Sequence, residues 1–534
     1  MKKIAIVGAG PTGIYTFYAL LQQDRPLAVT IYEQAHEAGV GMPYSDDDTT
    51  RFMLANIASI EIPPLYLSYL DWLREQRDPL LSRFQVARDS LHERQFLPRL
   101  LLGHYFRDQF LRMLEDAGRR GFAITVHESC KVVDIASDAE GVTVFAQGTD
   151  AAWFDQVVVA TGHVWPEDAT RQAFFPSPWS GLMDAIIPAC PVGIMGTSLS
   201  GIDAAMAVAA QHGRFECRHD GEIVFIRHPD SAALRLTLMS RSGILPEADF
   251  YCPLPYEPLS VVTDEALEHE IRLGASGLLD RVFRLITRQL QACDPQWSAR
   301  IGLHHLTADT FREAWFADRQ RHDPFRWAEY NLNEVDANKR DRVTVPWRYA
   351  ILRLHEAVEP IVPHLNDGDR RRFDGGLARV FIDNYAAIPS QSIRRLLALH
   401  AAGILTILAL GEDYTLEVEE HATTISNENG SWRWPVFIDA RGQKPLKVGD
   451  IPFPTLRRQL AETGEAIPEI GDDYTLQQPA SLRGRIAFAA LPWLMHDRPF
   501  VQGIVASAEI GASIARFLLQ PEHRLRRRLP WVEE

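Results

Sequence analysis

Apolar and polar positions along this chain alternate in blocks that predict parallel strands joined by helices. Residues 4–7 form a short apolar run, glycines follow at positions 8, 10 and 13, and a second apolar run at 29–32 ends at Glu33. Short, continuous apolar runs are typical of strands buried on both faces of a parallel sheet, and the stretch between them has the length of a helix. The pattern predicts a strand–helix–strand unit at the start of the chain.

The glycines of this unit form a G-x-G-x-x-G fingerprint for a dinucleotide. The first glycine allows the tight turn after the strand, the second lets a pyrophosphate approach the backbone, and the third lets the helix lie close to the sheet. Free N–H groups of the first helical turn face the phosphates, and an acid after the second strand accepts hydrogen bonds from ribose hydroxyls. We predict a dinucleotide site formed by Gly8, Gly10, Pro11, Thr12, Gly13 and Glu33.

Two later stretches favour FAD as this dinucleotide. Gly39 and Gly41 form a second glycine pair, which many flavoproteins use to run backbone past the FAD ribose and pyrophosphate. Residues 157–162 form an apolar strand ending in Ala-Thr-Gly, and they resemble the turn by which flavoproteins with two dinucleotide sites leave the FAD sheet. An ordinary strand exit is the alternative for this turn. We add to the predicted FAD contacts Gly41, Thr161 and Gly162. On a strand predicted at 129–134, the backbone of Val132 is the predicted contact with the adenine edge.

A second nucleotide loop at residues 196–201 follows a predicted strand at 192–195. Serine replaces the middle glycine, and its small hydroxyl side chain can bond a phosphate oxygen. A predicted hairpin of residues 223–226 and 236–239 leads to Arg241, whose guanidinium suits a 2′-phosphate and favours NADP over NAD. A simple helix-capping turn and a surface ion pair at Arg241 are the alternatives. We predict an NADPH or NADH site formed by Gly196, Ser198, Gly201 and Arg241.

Several stretches of the chain resemble one bacterial family. They are residues 39–45, 53–59, 95–99, 160–166, 239–246 and 491–497, and the family is that of the YdhS-like FAD/NAD(P)-binding flavoproteins. More distantly, the layout is similar to flavin-containing monooxygenases, N-hydroxylases and an FAD-dependent urate hydroxylase group. The resemblance implies an FAD enzyme with an NAD(P)H site. It also makes Arg99 a candidate FAD contact, with a helix-surface salt bridge as the alternative.

The chain departs from such flavoproteins at its last predicted strand. Flavoproteins of this build often end that strand in Gly-Asp, whose acid bonds the ribityl chain of FAD. Residues 486–492 contain neither a glycine nor an aspartate. That contact with the ribityl chain must therefore come from elsewhere.

Composition narrows the class of protein further. The chain has 534 residues, 46% of them hydrophobic, and a formal net charge of −15, which argues against nucleic acid or an anionic membrane as partner. The exception is a short basic run at residues 523–528, which is typical of a solvated tail. A strand that begins at about residue 3 leaves no room for a signal peptide, and no apolar stretch is long enough to span a bilayer. We expect a cytoplasmic protein with a small-molecule substrate.

The cysteines are scattered and odd in number. Five are present and none forms a C-x-x-C pair, which fits a reducing compartment and argues against the redox-active disulfide of the disulfide-reductase flavoproteins. No histidine has cysteine or carboxylate neighbours at a persuasive metal-ligand spacing. We expect no metal site.

The order of these motifs predicts an α/β protein with two Rossmann-like dinucleotide-binding domains and a mostly helical insertion. The FAD-binding domain is discontinuous, because an Ala-x-Gly crossover at 160–162 is mirrored by a second one at 440–442. The predicted parts are 1–188 and 443–534 for the FAD-binding domain, 189–257 and 376–442 for the NAD(P)-type domain, and 258–375 for the helical insertion.

The flavin ring is expected near residues 41–57, the crossover at Gly162 and the N-terminus of the last helix. That helix end, at Gln502 and Gly503, carries a partial positive charge that would stabilise reduced flavin. Asn56 is the predicted hydrogen-bond donor to flavin or oxygen, and His496 is the predicted acid or base on the substrate side. Other polar candidates are Tyr44 and His163 near the flavin, and Glu247, Asp249, Arg326 and Trp327 around a substrate pocket.

Three functions remain open from the sequence. The first is an NAD(P)H-dependent FAD oxidoreductase of the single-component monooxygenase type. The second is an FAD-dependent dehydrogenase or oxidase whose NAD(P) site is vestigial, and the third is a flavin-binding protein without enzymatic activity. Ser198 and the long stretch before Arg241 keep the last two open.

Overall fold

The structure is a computed structural model, and it describes residues 1–47, 49–166, 173–219, 221–501 and 503–520. In chain order its strands are β1 (Lys3–Val7), β2 (Ala28–Tyr32), β3 (Ala123–His127), β4 (Val132–Ser137), β5 (Val142–Ala146), β6 (Ala152–Phe154), β7 (Gln156–Val159), β8 (Phe174–Phe175), β9 (Pro191–Met195), β10 (Gly213–Cys217), β11 (Ile223–Arg227), β12 (Arg235–Ser240), β13 (Leu405–Ala409), β14 (Thr415–Val418), β15 (Thr423–Asn427), β16 (Gly430–Trp434), β17 (Val436–Asp439) and β18 (Ile486–Phe488).

The helices lie between groups of these strands, and nine of them, α6 to α14, follow one another in the middle of the chain. They are α1 (Pro11–Leu21), α2 (Tyr69–Glu75), α3 (Asp78–Arg83), α4 (Arg99–Arg119), α5 (Leu199–His212), α6 (Asp264–Arg272), α7 (Leu278–Cys293), α8 (Pro295–Arg300), α9 (Phe311–Gln320), α10 (Pro324–Asp341), α11 (Pro346–Val358), α12 (Asp367–Gly375), α13 (Leu377–Tyr385), α14 (Ser390–Ala401), α15 (Pro454–Ala461), α16 (Leu491–Leu494) and α17 (Gly503–Leu518). Among the described helices, none is long and apolar enough to cross a membrane.

The chain forms two compact units. The first contains Met1–Arg51, Ile57–Val164 and the chain from Gln443 onward, and the second contains Phe52–Asn56 and Trp165–Gly442. The chain therefore leaves the first unit after the Ala160–Gly162 turn and returns directly after Gly442. Residues 165–188, which the sequence layout assigned to the FAD-binding domain, belong to the second unit by this division.

The first unit is built on a parallel sheet in the order β18-β7-β1-β2-β3. One face of the sheet packs against an antiparallel sheet of β4, β5 and β6 and against α15, in a core that joins side chains such as Val7, Val159 and Ile135. Helices α1 and α4 are in contact, and α1 also packs along α17. This layering is a Rossmann-like fold with an antiparallel sheet on one face.

The second unit repeats the same plan with a parallel sheet in the order β13-β12-β9-β17-β8. An antiparallel sheet of β14, β15 and β16 covers one face through a cluster that includes Met195, Met239 and Ile425. Residues of α5, α10 and α14 share the other core with strand residues such as Val192 and Leu236. The predicted α/β class with two Rossmann-like folds is confirmed.

One strand pairing differs from the sequence prediction. Strand β11 pairs antiparallel with β10, while β12 joins the main sheet parallel to β9 and β13. The predicted hairpin of 223–226 with 236–239 is therefore wrong, because residues 236–239 are apolar enough to be the second central strand of the fold. Strand β12 thus ends beside the nucleotide loop, one residue before Arg241.

Helices α6 to α13 form the middle of the second unit. They occupy the chain from Asp264 to Tyr385, interrupted by short turns and 3-10 segments. Their amphipathic faces bury apolar side chains, as in α7, where Leu279, Phe283 and Ile286 are buried. The predicted helical insertion is present in the described residues, and its last helix, α13, extends past the predicted end at 375.

Candidate nucleotide sites

The first glycine loop is held by contacts that leave no room for side chains at two positions. The N–H of Gly8 donates to the Tyr32 carbonyl at 2.8 Å, and Gly8 has a φ of +101°. A Cβ on Gly8 would lie 2.4 Å from the Ala160 oxygen, and one on Gly13 would lie 2.1 Å from the Gly8 oxygen. Glycine is therefore required by the fold at both positions.

Gly10 lies in a different environment. A Cβ on Gly10 would meet only the Cα of Gly41, at 3.4 Å. The fold itself therefore leaves space beside this position, which is the space that a pyrophosphate needs. Because Gly10 caps α1 without a side chain and Pro11 opens the helix, the N–H groups of the first turn have no side-chain acceptor at that cap and are placed for an anion.

Glu33 is buried at the carboxyl end of β2 and is already oriented by the backbone. Its Oε2 accepts from the Ala9 N–H at 2.8 Å and its Oε1 accepts from the Ala35 N–H at 2.9 Å. A carboxylate has about four acceptor positions, so both oxygens retain lone pairs for ribose hydroxyls. The site residues Gly8, Gly10, Gly13 and Glu33 are thus brought together.

The second glycine pair lies between the start of α1 and α4. A Cβ on Gly41 would lie 2.8 Å from Cδ of Pro11, and one on Gly39 would lie 2.5 Å from Cβ of Phe110. Both glycines also have positive φ, +87° and +82°. At Gly41 the backbone therefore approaches the first glycine loop more closely than a residue with a side chain would allow.

Arg99 is the first residue of α4 and its charge acts on a buried phenol. Burial raises the pKa of Tyr44 to about 12, and the Arg99 guanidinium opposes that rise. The backbone of Tyr44 also packs against α4, since a Cβ on Gly103 would lie 2.2 Å from its carbonyl oxygen. Arg99 therefore lies beside the segment that follows Gly41, and its role as an FAD contact stays a prediction.

The two crossover points of the chain are joined within the first unit. Thr161 lies next to the phosphate loop, because a Cβ on Gly8 would lie 3.3 Å from its Cα. The Val164 N–H donates to Oε1 of Gln443 at 3.1 Å. Burial lowers the pKa of His163, and a hydrogen bond with Gln443 opposes that shift, so His163 favours its neutral form.

Val132, the predicted adenine contact, begins β4 and is buried. Two residues before it, the Cys130 N–H donates to the Glu33 carbonyl at 2.8 Å. The backbone at the start of β4 therefore runs beside the acid that is expected to bind the ribose. This placement agrees with the geometry the prediction requires, and the adenine contact itself stays a prediction.

His496 has a fixed ring. Its Nε2 lies 2.7 Å from the carbonyl oxygen of Leu446, and the Trp493 indole N–H donates to the Lys447 carbonyl at 2.8 Å. Because a carbonyl only accepts, Nε2 of His496 carries a proton and a neutral ring keeps its lone pair on Nδ1. The geometry is compatible with an acid or base role, which stays a prediction.

Asn56 belongs by its contacts to the second unit. It ends the segment Phe52–Asn56, which is held by a hydrogen bond of 2.5 Å from Arg395 Nη1 to the Phe52 carbonyl. The Asn56 Oδ1 is buried and has no hydrogen-bond partner in the described part of the chain. Its predicted role beside the flavin stays a prediction.

The last helix, α17, lies directly on α1. Thr12 Oγ1 donates to Ser507 Oγ at 3.1 Å, and Ser507 Oγ donates to the Gly503 carbonyl at 3.0 Å. Gly503 has a φ of +80°, and a Cβ on Gly511 would lie 2.6 Å from the backbone nitrogen of Thr16. Gln502, predicted as a flavin contact, lies outside the described residues, as does the basic run at 523–528.

Sequence reasoning missed the helix contact made by Ser507 and Gly511. A signal was present, because small residues recur every four positions at 503, 507, 511 and 515. Residues four apart lie on one face of a helix, and small side chains there let another helix approach closely.

The second glycine loop repeats the geometry of the first. Gly196 has a φ of +138°, and a Cβ on it would lie 2.7 Å from the Ala440 oxygen; one on Gly201 would lie 2.3 Å from the Gly196 oxygen. Ser198 caps α5, is exposed and makes no side-chain capping bond. Its hydroxyl and the first N–H groups of α5 are therefore placed for a phosphate.

Arg241 follows the end of β12, beside this loop. Thr197 Oγ1 donates to Ser240 Oγ at 3.1 Å, which ties the loop to the strand end. Arg241 Nη1 lies 3.0 Å from Oε2 of Glu412, and the two side chains are 46% and 65% exposed. An ion pair this exposed contributes little to stability, so it leaves Arg241 available to a ligand.

Two of the predicted substrate-pocket residues, Glu247 and Trp327, contact each other, and the acids are paired with basic side chains. Glu247 accepts from the Trp327 indole N–H at 2.9 Å and lies 2.5 Å from Arg348. Burial raises the pKa of Glu247, but the arginine charges outweigh it and leave that pKa lowered. Asp249 lies 3.1 Å from Lys339, and Arg326 is exposed. Their pairing favours a packing role for Glu247 and Asp249.

The comparisons with protein families agree with this geometry. Residues 5–164 match a family described as FAD-NAD(P)-binding, and residues 263–385 match a YdhS-like middle domain. The fold, the first site and this match define an FAD- and NAD(P)-binding protein of the FAD-dependent oxidoreductase class. A protein of Escherichia coli (strain K12) with the description "Uncharacterized protein YdhS" is 63% identical over 532 residues, which cover 99% of each chain. The chain belongs to the YdhS family.

Two solved structures are similar to the chain over almost its whole length. An ornithine N-hydroxylase from Kutzneria sp. 744 is 15% identical, with coverage of 98% of this chain and 99% of the other and a TM-score of 0.49. A bacillithiol disulfide reductase from Bacillus cereus is 12% identical, with coverage of 97% and 98% and a TM-score of 0.42.

Proposed function

We propose that this protein is an NADPH-dependent FAD monooxygenase that acts on a small molecule. The observation that carries the proposal is one loop geometry that occurs twice, since Gly8 and Gly13 in one unit and Gly196 and Gly201 in the other meet the backbone in the same way. One loop serves FAD, and the second is then available to the nicotinamide cofactor. Bound FAD supplies hydride acceptance and the reaction with dioxygen.

The ligand-facing residues of the two loops suit different groups of the two cofactors. In the first, the space beside Gly10 admits the pyrophosphate and Glu33 holds the ribose of FAD. In the second, the Ser198 hydroxyl bonds a phosphate oxygen of NADPH, and Arg241 reads its 2′-phosphate. An acid suits a ribose hydroxyl and a guanidinium suits a phosphate, which supports FAD in the first site and NADPH in the second.

The cysteines support dioxygen over a disulfide as the electron acceptor. None of the five is in a disulfide, and Cys130 and Cys252 are buried. Flavoproteins that reduce disulfides pass electrons through a pair of neighbouring thiols. A chain without such a pair needs another acceptor, and dioxygen fits the proposal.

His496 is the proposed acid or base. The hydrogen bond of Nε2 to the Leu446 carbonyl fixes the ring, and Nδ1 is the nitrogen proposed to exchange a proton with the substrate. Asn56 is the proposed hydrogen-bond donor to the flavin or the reacting oxygen, through the N–H groups of its side-chain amide.

A second function is favoured by two observations at the second loop. Serine stands at its middle position, and Glu412 already pairs with Arg241. An FAD-dependent oxidase or dehydrogenase that takes electrons from its substrate would need neither phosphate contact. In that case the second loop is a structural remnant.

The test measures where the oxygen goes. FAD-loaded protein is given NADPH in 18O2-saturated buffer with a panel of small metabolites, and peroxide, NADPH consumption and labelled product are measured together. A monooxygenase forms an 18O-labelled product from at least one compound while the peroxide formed per NADPH falls. Stoichiometric peroxide with every compound contradicts the monooxygenase and favours an oxidase or a reductase.

A further inference from the structure

We infer that three arginines from separate elements of the second unit form one phosphate site, which selects NADP(H) by its 2′-phosphate. Arg241 follows β12 of the nucleotide fold, whereas Arg312 lies on α9 and Arg379 on α13. Both helices lie within residues 263–385, the YdhS-like middle domain. The inference rests on the proposed NADPH site and gives the middle domain a role in choosing the cofactor.

The guanidinium groups of Arg241 and Arg312 both lie beside the carboxylate of Glu412. Its Oε2 lies 3.0 Å from Nη1 of Arg241, and its Oε1 lies 3.7 Å from Nη2 of Arg312. Arg312 is also oriented by the backbone, because its Nη1 donates to the Gly375 carbonyl at 3.1 Å. One carboxylate therefore bridges an arginine of the nucleotide fold and an arginine of the middle domain.

Arg379 lies on α13, which packs against α9, the helix that carries Arg312. Its pKa is lowered by burial first and then by the charges of Arg241 and Arg312, which Asp374 and Glu412 oppose. Within the described residues Arg379 makes no ion pair of its own. Like charges close together disfavour one another unless an anion lies between them.

The charges around the cluster leave a positive excess. Asp374 is paired with Arg370 at 3.0 Å, and Asp309 with Arg372 at 2.8 Å. Of the described carboxylates, Glu412 is the one that forms ion pairs with arginines of this cluster. A 2′-phosphate carries a charge of about −2 near neutral pH. It therefore compensates the excess that Glu412 leaves, whereas the 2′-hydroxyl of NADH does not.

The cluster lies where a Rossmann fold places the adenosine ribose. The Leu410 N–H donates to the Ser240 carbonyl at 2.9 Å and the Gly411 N–H to the Arg241 carbonyl at 3.0 Å, so Glu412 and Arg241 both stand at the carboxyl ends of neighbouring parallel strands. Ligands of open α/β sheets bind at that edge, and the ribose lies near the end of the second strand. A cavity of about 420 Å³ is lined by Arg312 and Glu412, together with Asp309, Glu313, Arg371 and Arg372.

This site could not be predicted from the sequence, because Arg312 and Arg379 lie on amphipathic helices far along the chain from Arg241. Arginines on the polar face of a helix are usually solvated. Only the pairing of β12 with β13 and the packing of α9 and α13 bring them together.

The test compares two nucleotides that differ in where one phosphate is attached. Isothermal calorimetry on FAD-loaded protein measures binding of 2′,5′-ADP, which carries the 2′-phosphate, and of ADP, which does not. Wild-type protein binds 2′,5′-ADP about tenfold or more tightly than ADP. Arg312→Ala and Arg379→Ala each lose about tenfold in affinity for 2′,5′-ADP with little change for ADP. Glu412→Gln gains affinity for 2′,5′-ADP, because the competing carboxylate is removed.

Arg321→Ala is the matched control. Arg321 follows α9, its side chain is 73% exposed, and it forms an ion pair with Asp318 at 3.6 Å, so both nucleotides bind this variant as they bind wild type. Melting curves of all variants show whether a loss of binding reflects a loss of folding. Wild-type affinity in Arg312→Ala and Arg379→Ala overturns the inference even if Arg241→Ala binds weakly.

The failure of this inference and the failure of the proposed function are distinguishable. If the wild type binds both nucleotides equally while NADH or NADPH reduces its flavin, the arginine site is wrong and the oxidoreductase stands. If neither nucleotide binds and neither cofactor reduces the flavin, the second nucleotide site itself is wrong.

Discussion

The two nucleotide folds of this chain share their glycine contacts and differ at the positions that face a ligand. A Cβ on Gly8 would lie 2.4 Å from the next strand's carbonyl oxygen and one on Gly196 would lie 2.7 Å from its counterpart. The contacts of Gly13 and Gly201 correspond in the same way. The tight turn and the close helix are therefore properties of the fold, whichever nucleotide is bound.

The differences lie at the middle of the loop and at the end of the second strand. Gly10 in the first fold corresponds to Ser198 in the second, and the acid Glu33 corresponds to the base Arg241. Gly10 and Glu33 together fit a pyrophosphate and a ribose diol. Ser198 and Arg241 together fit a phosphate oxygen and a 2′-phosphate. Separate substitutions at structural and ligand-facing positions test this division.

The largest effect is expected at the structural glycines. Gly13→Ala and Gly201→Ala each place a methyl group within 2.3 Å of a carbonyl oxygen, and we expect each to lower the free energy of unfolding by about 3 kcal/mol. Thermal melts and soluble yield measure the loss. Gly118→Ala is the control, since nothing lies within 4 Å of its Cβ. A wild-type melt for either variant contradicts the shared geometry.

The ligand-facing positions are expected to separate the two cofactors. Gly10→Ala fills the pyrophosphate space without striking backbone, so the protein folds but loses FAD affinity by about a hundredfold and purifies colourless. Ser198→Val keeps FAD and loses NADPH affinity, because a branched apolar side chain replaces the phosphate-bonding hydroxyl. Flavin absorbance measures the loss of FAD, and titration with NADPH measures the loss of NADPH affinity. If Ser198→Val also lost FAD, or Gly10→Ala stayed yellow, the assignment of the loops would be wrong.

The strand-end residues are expected to differ in stability. Glu33→Gln replaces one carboxylate oxygen that accepts from Ala9 or Ala35 with an N–H donor, which costs about 1–3 kcal/mol. Arg241→Gln removes an exposed ion pair and costs less than about 0.5 kcal/mol. Denaturant unfolding of the FAD-free proteins provides the comparison. Equal losses would show that the acid has no special structural role.

The smallest effect is expected from pH, on the stability of α1 and α5, the helices that follow the two glycine loops. Helix α5 ends at His212, whose Nδ1 pairs with Ser231 Oγ and Nε2 with the Ile187 carbonyl, whereas α1 ends without a titrating side chain. Burial lowers the pKa of His212, so the unfolded state binds its proton more readily. The free energy of unfolding α5 is therefore highest above the pKa of His212 in the unfolded state, about 6.5. It falls as the pH drops below that value, by at most about 1.4 kcal/mol per pH unit.

Hydrogen exchange measures this pH effect locally. After correction for intrinsic rates, α5 amides lose protection between pH 7 and pH 5.5 relative to α1 amides, and His212→Gln removes the difference. An equal pH response of α1 and α5 in the wild type would show that His212 does not titrate on opening.

The local motifs of this fold were predictable because each follows from contacts near in sequence. The strand–Gly-x-Gly-x-x-Gly–helix units at Gly8 and Gly196 needed nothing beyond apolar runs and glycine spacing. The paired crossovers at Gly162 and Gly442 were recognised by their resemblance to the exit turn of flavoproteins with two dinucleotide sites. The pairing of residues 236–239 was missed, because an apolar run does not say whether its partner is the nearest strand or one far along the chain.

Residues that come together only through tertiary packing could not be predicted from the sequence. The polar faces of α9 and α13 look like solvated surfaces, and only the folded chain shows Arg312 beside Glu412. The contact of Thr12 with Ser507 spans almost the whole chain. Such pairs are set by the order of strands in a sheet, which no local pattern encodes.

Anaerobic reduction of the bound flavin is the most direct test of the central claim, that one chain carries an FAD site and a working NADPH site. FAD-loaded protein is mixed with NADPH or NADH without oxygen, and flavin absorbance is followed in a stopped-flow instrument. We expect NADPH to bleach the flavin with about one equivalent and faster than NADH, and Ser198→Val to slow the reaction with NADPH. Flavin that stays oxidised with both cofactors would contradict the account.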